Sequence, residues 1–405
     1  MVQNRRMRMK PVKVSEAIYW VGAIDWNIRD FHGYATYQGT TYNAFLILDE
    51  KITLIDTVKK EFTDQMFEAI GQLVDPKKIE YVISNHTEMD HSGGLPILMH
   101  LIGQDKPVYC SKMGFRNLRG HFGDKFNLQA VDKDTELNIG LRTLSFMETR
   151  MLHWPDSMFT YVNEDDILFS SDCFGQHYAG WERFDDQIGE AIMPHALKYY
   201  ANILLPYSPR VSKLIAQVAE LGMAPKIICP DHGVLWRENP SKIIEAYSRW
   251  ASQKPHRKAV VLYDTMWEST RKMAEAIVDG LIAENVETQC MRLRTIHRSD
   301  AITEIMEAGA VLIGSPTLNN GLFPTVSDFL CYMKGLRPRN KLAAAFGSYG
   351  WTGESIKLIT AELEAMKLEL IDPGLSIHWV PDDNGLKKCF ELGTKVGRAL
   401  AGIER

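Results

Sequence analysis

YVISNHTEMDHSGG, residues 81–94, decides how the first half of the chain is read. Its apolar start reads as a strand that runs out at His86. Four metal-capable side chains then crowd into six positions: His86, Glu88, Asp90 and His91. Ser92, Gly93 and Gly94 close the segment as a turn. Without a metal, each of these polar groups needs its own partner, since buried polar groups are costly when unpaired. Imidazole nitrogens and carboxylate oxygens are ordinary metal donors, so one metal centre can satisfy them together.

Three positions downstream extend the set. His153 lies in MLHWPDS, Asp172 in ILFSSDCFG and His232 in KIICPDHG. Each follows an apolar run and precedes turn residues, where strand ends can assemble a shared site. A single histidine there is more often a hydrogen-bonded structural residue, and the chain has 12 histidines. The joint pattern carries the inference. The order H-x-E-x-D-H, then His, Asp and His, resembles the metallo-β-lactamase fold family, an αββα sandwich with two metals at one edge. Hydrolytic members normally carry histidine where this chain has Glu88. The set therefore holds four imidazoles and three carboxylates. Such oxygen-rich ligation favours harder, redox-active iron over zinc.

Short β-rich runs dominate this half: NAFLILDE, KITLIDTV, PVYCS, RTLSFMET and DDILFSSD. AIYWVGAI reads as the first strand. Apolar residues Phe62, Met66, Phe67, Ile70 and Leu73 predict a helix over 60–74. VSKLIAQVAEL predicts another over 211–221, stopped by Gly222.

The rhythm changes near residue 254. KAVVLYD, AGAVLIGSP and KLAAAFGSYG are nearly all apolar, and helical runs separate them. Met273, Ile277 and Leu281 mark the buried face of the first such helix. Alternation of this kind predicts a parallel sheet covered on both faces. The expected domains are 1–253 and 254–405, with a short polar join.

VVLYDTMWESTRKMA, residues 260–274, runs strand, hydroxyl-rich turn, helix. Thr265, Met266, Trp267, Ser269 and Thr270 occupy that turn. Hydroxyls and amides at a helix start can hold a monophosphate, although the same residues also suit an N-cap. No G-x-G-x-x-G or phosphate-loop motif supports a dinucleotide or triphosphate. Two later loops add Pro316, Thr317, Leu318, Asn319, Asn320 and Gly321, then Ser348, Tyr349, Gly350, Trp351 and Gly353. Loops at the carboxyl ends of parallel strands are where open α/β sheets take ligands. Tyr349 and Trp351 offer stacking surfaces. The half resembles flavodoxin, a doubly wound parallel sheet, and the resemblance implies FMN. Trp267 and Glu268 depart from the usual flavodoxin phosphate loop.

A lactamase-like half followed by a flavodoxin-like half resembles the flavodiiron proteins. GAIDWN, RDFHGY, GTTYNAFL, ERFDDQI and YYANI extend the likeness over nearly the whole chain. The resemblance implies two non-haem irons and FMN, with reduction of dioxygen to water or of nitric oxide to nitrous oxide. Two ferrous ions and one reduced FMN hold the four electrons that dioxygen requires. The resemblance assigns His86, Glu88 and His153 to one iron, Asp90 and His232 to the other, and Asp172 to both. His91 binds metal in some members only. Asp172, Glu88 and His91 are the expected catalytic residues. The family also implies head-to-tail homodimers, with the flavin of one subunit beside the metals of the other. His32, Tyr42, His177 and Tyr200 are candidates for the surrounding pocket, each with ordinary structural bonding as the alternative.

The whole chain narrows the partners. It has 405 residues and a net charge of 46 − 51 = −5. A mildly acidic chain has no general attraction for nucleic acid. No apolar run reaches the roughly 18–20 residues that span a bilayer. The basic start MVQNRRMRMK lacks a following apolar core and reads as a solvated tail. Six cysteines without a C-x-x-C pair are expected as buried, reduced thiols in a cytoplasmic protein. No iron–sulfur centre is therefore expected in the chain. Electrons are expected from an external donor, rubredoxin first and a reduced deazaflavin second. Two other readings compete: a dizinc hydrolase with an appended flavodoxin, distinguished by Glu88, and a plain FMN electron carrier.

Overall fold

In the computed structural model, residues 9–403 are described. The expected basic tail falls mainly on residues 1–8, outside that range. The chain divides into two units. One gathers the chain up to Phe31 with Thr36–Tyr199 and Pro209–Ser248. The other gathers His32–Ala35, Tyr200–Ser208 and the chain from Arg249.

The first unit carries a seven-stranded and a five-stranded sheet. In the larger sheet, Thr53–Ile55, Tyr81–Ser84, Pro107–Ser111 and Asn127–Val131 run parallel. In the smaller sheet, Ile167–Phe169 pairs with Met158–Val162 antiparallel and with Ile227–Cys229 parallel. Alternation along these strands sends Phe45, Phe169, Val82 and Leu144 into one core, each essentially unexposed. The strands end where the candidate ligands begin. Tyr81–Ser84 stops two residues short of His86, because Asn85 leaves the ladder to pair with Asp56.

Local readings are refined in two places. AIYWVGAI is two strands, Ile18–Trp20 and Ala23–Asp25, which belong to different sheets. They separate at Gly22, where a Cβ would lie 2.2 Å from the Tyr42 carbonyl oxygen. The helix expected over 211–221 begins earlier and spans Ser208–Glu220. Among the cysteines, Cys290 and Cys331 are exposed, so only four of the six are buried thiols. Cys290 lies on the largely exposed edge strand Glu287–Arg292, and Cys331 on the outer side of helix Pro324–Leu336, placements that composition does not reveal.

The second unit is built on a six-stranded parallel sheet. His256–Tyr263 lies between Glu287–Arg292 and Ala308–Gly314, and Leu342–Tyr349 follows. Helix Ser269–Ala283 buries Met273, Ile277 and Leu281 completely. Each such side chain contributes about 1.5–3 kcal/mol of apolar burial. The order places the reversal of winding beside His256–Tyr263, where a ligand crevice opens in this fold class. Among the described residues no helix is long and apolar enough to cross a membrane.

Candidate functional site

Asp172 stands at the centre of the first unit's polar cluster. Ser171, just before it, takes φ of +51° and turns the chain out of strand Ile167–Phe169. The two Asp172 oxygens face different histidine pairs. Oδ2 lies 3.3 Å from His86 Nε2 and 3.1 Å from His153 Nε2. Oδ1 lies 3.5 Å from His91 Nε2 and 3.4 Å from His232 Nε2. Glu88 Oε2 completes the first group, 3.3 Å from His86 Nε2 and 3.2 Å from His153 Nε2. Asp90 Oδ2 completes the second, 3.2 Å from both His91 Nε2 and His232 Nε2. The structure thus brings all seven residues together in two adjoining groups, His86–Glu88–His153–Asp172 and Asp90–His91–His232, with donor atoms inside 4.8 Å in each.

The outward nitrogens explain why the inward ones are free to bind. His86 Nδ1 meets Asp156 Oδ2 at 3.0 Å, and His232 Nδ1 meets the Thr41 carbonyl at 2.6 Å. An Nδ1–H donated outward leaves the Nε2 lone pair facing inward, the form that ligates metal. His91 Nδ1 has a looser neighbour, Asp231 Oδ2 at 3.7 Å. Two helical residues, Asp90 and His91, ride on the short helix Met89–Ser92, whose last residue, Ser92, donates its hydroxyl back to the Thr87 carbonyl at 2.8 Å.

The donor set fits a pair of cations. Both oxygens of Asp90, both nitrogens of His91 and Oδ2 of Asp172 are buried and make no hydrogen bond. The cluster also pulls in positive charge. Burial alone would lower the His91 imidazole, yet Asp90, Asp231 and Asp172 outweigh it and push it up to about 10. Burial likewise opposes protonation of His153, but Asp172 and Glu88 push it up to about 9. Sites that hold protons this firmly are equally suited to hold metal cations in their place.

The surrounding pocket differs from the sequence expectation in detail. His177 Nδ1 lies 2.8 Å from Thr40 Oγ1, and its ring is 4.9 Å from that of His232. The Tyr42 hydroxyl donates to Asp25. Tyr200 belongs to the second unit, with its hydroxyl 3.0 Å from Ser208 Oγ. Its neighbour Tyr199 takes the role instead, donating to Asp172 Oδ1 at 2.8 Å. His32 belongs to the other unit. Asp156, Asp231 and Tyr199 were missed from sequence, although HWPDS, PDHG and YYANI each placed them beside a chosen residue.

The second unit holds a cavity of about 270 Å³ at the carboxyl ends of its strands. Thr265, Met266, Trp267, Ser269, Pro316, Thr317, Ser348, Tyr349 and Gly350 line it. Thr265 Oγ1 is buried without a hydrogen-bond partner, and helix Ser269–Ala283 starts without a side-chain cap. A phosphate satisfies both deficits. Thr270 lies beneath, its hydroxyl 3.3 Å from Ser348 Oγ. Leu318, Asn319, Asn320, Gly321, Trp351 and Gly353 are not among the lining residues. Leu318 and Gly321 instead pair across a turn in which Asn319 and Asn320 take φ of +49° and +57°. Trp379 and Val380 line the cavity and were not anticipated. They follow strand Leu375–His378, whose alternating, half-exposed residues gave no ligand signal.

Fold and sites together define a lactamase-type metal protein joined to a flavodoxin. Residues 40–233 match the ODP family beta lactamase model, and residues 261–393 match flavodoxin. A nitric oxide reductase of Moorella thermoacetica is 47% identical over 97% of this chain and 99% of its own length. The solved rubredoxin oxygen:oxidoreductase of Desulfovibrio gigas is 41% identical with a TM-score of 0.96, over 98% of this chain and all of that one. The flavodiiron protein of Giardia intestinalis is 34% identical with a TM-score of 0.93, over 97% of each chain. The chain belongs to the flavodiiron protein family.

Proposed function

We propose that this protein is a flavodiiron oxidoreductase that reduces dioxygen to water, nitric oxide to nitrous oxide, or both. The observation that carries the reading is Asp172, whose two oxygens face two separate donor groups 3.1–3.5 Å away. In this reading His86, Glu88 and His153 hold one iron, and Asp90, His91 and His232 hold the other. Asp172 would offer one oxygen to each. When bound, the two irons and FMN supply the electrons for reduction. The chain's own residues would hold the metals side by side and place a hydroxyl, that of Tyr199, against the shared carboxylate of Asp172. The flavin would lie in the cavity at Thr265, Ser348 and Tyr349; Thr270, Leu318, Asn319, Asn320, Gly321, Trp351 and Gly353 remain proposed contacts on the loops beside it. Residues 1–253 carry the metal chemistry and 254–405 the flavin.

The donor is an external protein of rubredoxin type, as the name of the Desulfovibrio relative supports. The working form is a cytoplasmic, head-to-tail homodimer, a reading that rests on the family resemblance. Metal analysis with paired turnover tests the activity. Two irons per chain with oxygen or nitric oxide consumption is the expected result, and Asp172→Asn should abolish that turnover while FMN absorbance survives. Two zincs per chain with thioester hydrolysis and no gas consumption overturns it in favour of a hydrolase. Turnover that persists in Asp172→Asn points to an FMN carrier instead.

A further inference from the structure

Asp264 is a fully buried carboxylate immediately before Thr265, the residue whose free hydroxyl faces the flavin cavity. Placed there, it stands close to where a phosphate dianion belongs. Like charges so near each other in a poorly solvated site repel, unless a cation sits between or beside them. Two arginines from the neighbouring strand and its following turn answer this. Arg294 Nε donates to Asp264 Oδ1 at 2.7 Å, and Arg294 Nη2 donates to the Thr265 carbonyl at 2.9 Å. Arg292 Nε lies 3.5 Å from the same Asp264 oxygen, and that nitrogen is buried without a hydrogen bond.

The rest of the Asp264 carboxylate is also occupied. Its Oδ1 accepts from the Thr265 amide at 2.7 Å, and its Oδ2 accepts from Thr325 Oγ1 at 2.5 Å. Both backbone groups of Thr265 are therefore fixed by side chains, the amide by Asp264 and the carbonyl by Arg294. The hydroxyl is the polar group left to face the cavity. Arg294 is in turn held over the ring of Phe323, 5.0 Å from its centroid.

We infer that Arg294, acting through Asp264 and the Thr265 carbonyl, is a positioning residue that presets the phosphate end of the flavin site and offsets the charge of Asp264. The inference rests on the reading of this cavity as an FMN site. It differs from that reading in what it predicts, because only the phosphate end of the ligand feels Arg294.

The test uses the full-length protein stripped of flavin, titrated separately with FMN and with riboflavin, which lacks the phosphate. Binding is read from quenching of flavin fluorescence. Arg294 acts on the ligand through Asp264: without it, one like charge beside the phosphate stands less neutralised, a repulsion on the order of a tenfold loss of affinity. Arg294→Gln should therefore bind FMN about tenfold more weakly, with riboflavin affinity unchanged. Arg294→Lys should recover part of the difference. Unchanged iron content and thermal melting confirm that the variant is folded. An equal loss for both flavins, or no loss for either, overturns the inference. If the unaltered protein binds neither flavin, it is the FMN reading itself that fails.

Discussion

Asp156 Oδ2 accepts a hydrogen bond from His86 Nδ1 at 3.0 Å, on the side of the ring opposite the metal cluster. The same oxygen accepts from the Thr87 amide at 2.7 Å and the Thr87 hydroxyl at 2.8 Å, and Asn117 holds the other oxygen. One carboxylate thus sets both the ring's tautomer and the path of the loop that carries Glu88. Asp156→Ala should retain the fold but lose metal affinity by about 10–100-fold. Iron content after challenge with a graded chelator measures it.

Gly233 follows His232 and takes φ of +80°. A Cβ there would lie 2.0 Å from Gln176 Oε1, which is held by the Val234 amide at 2.8 Å. Gly233→Ala combines backbone strain with a clash against a fixed group. A destabilisation of about 2 kcal/mol or more is expected, with displacement of His232. Thermal melting and iron retention should fall together.

Trp379 lines the flavin cavity while remaining 58% exposed. Its ring is also packed 6.3 Å from that of Trp351. Trp379→Ala should weaken FMN binding roughly two- to tenfold, the range of one aromatic contact. Iron content should not change, which separates this effect from general unfolding.

Lys341 is a buried lysine in the second unit, and its ammonium donates to the Met306 carbonyl at 2.8 Å. Burial lowers it from 10.5 to about 7, against a small opposing pull from Glu307. Between those two values the unfolded chain binds one proton more than the folded chain, so stability rises with pH. Below about 7 both states are protonated and the penalty is present in full. Urea midpoints of the flavodoxin transition should increase from pH 7 to pH 10, by up to about 1.4 kcal/mol per pH unit. Lys341→Met should raise the midpoint at neutral pH and flatten the profile.

The candidate ligands were legible because metal chemistry restricts them to few residue types: four of the seven, His86, His153, Asp172 and His232, stand at the ends of apolar runs, and the other three crowd into the loop after His86. What surrounds them was not legible. Asp156 and Tyr199 act through hydrogen bonds to residues 70 and 27 positions away, and no local pattern records such pairings. The parallel sheet of the second unit was readable because its central strands, His256–Tyr263, Ala308–Gly314 and Leu342–Tyr349, are mostly apolar and buried. The split of AIYWVGAI was not, since the close approach at Gly22 comes from Tyr42, on another strand. The flavin loops were found as loops. The tight turn in which Leu318 pairs with Gly321 and Asn319 and Asn320 take positive φ was not legible in that loop's composition.

The second unit is not a continuous stretch of chain. Residues 32–35 and 200–208 belong to it, interrupting the first. Asn202 is one of its working parts: its side chain receives the Tyr332 hydroxyl at 2.7 Å and reaches the Ser299 carbonyl at 3.2 Å. A fragment begun at Arg249 would carry every flavin-lining residue and still lack these pieces of its own scaffold. A single cut at Arg249 would therefore strip the flavin half of hydrogen bonds that Asn202 makes to Tyr332 and Ser299. A transplant of that half is best drawn with the Asn202 loop included.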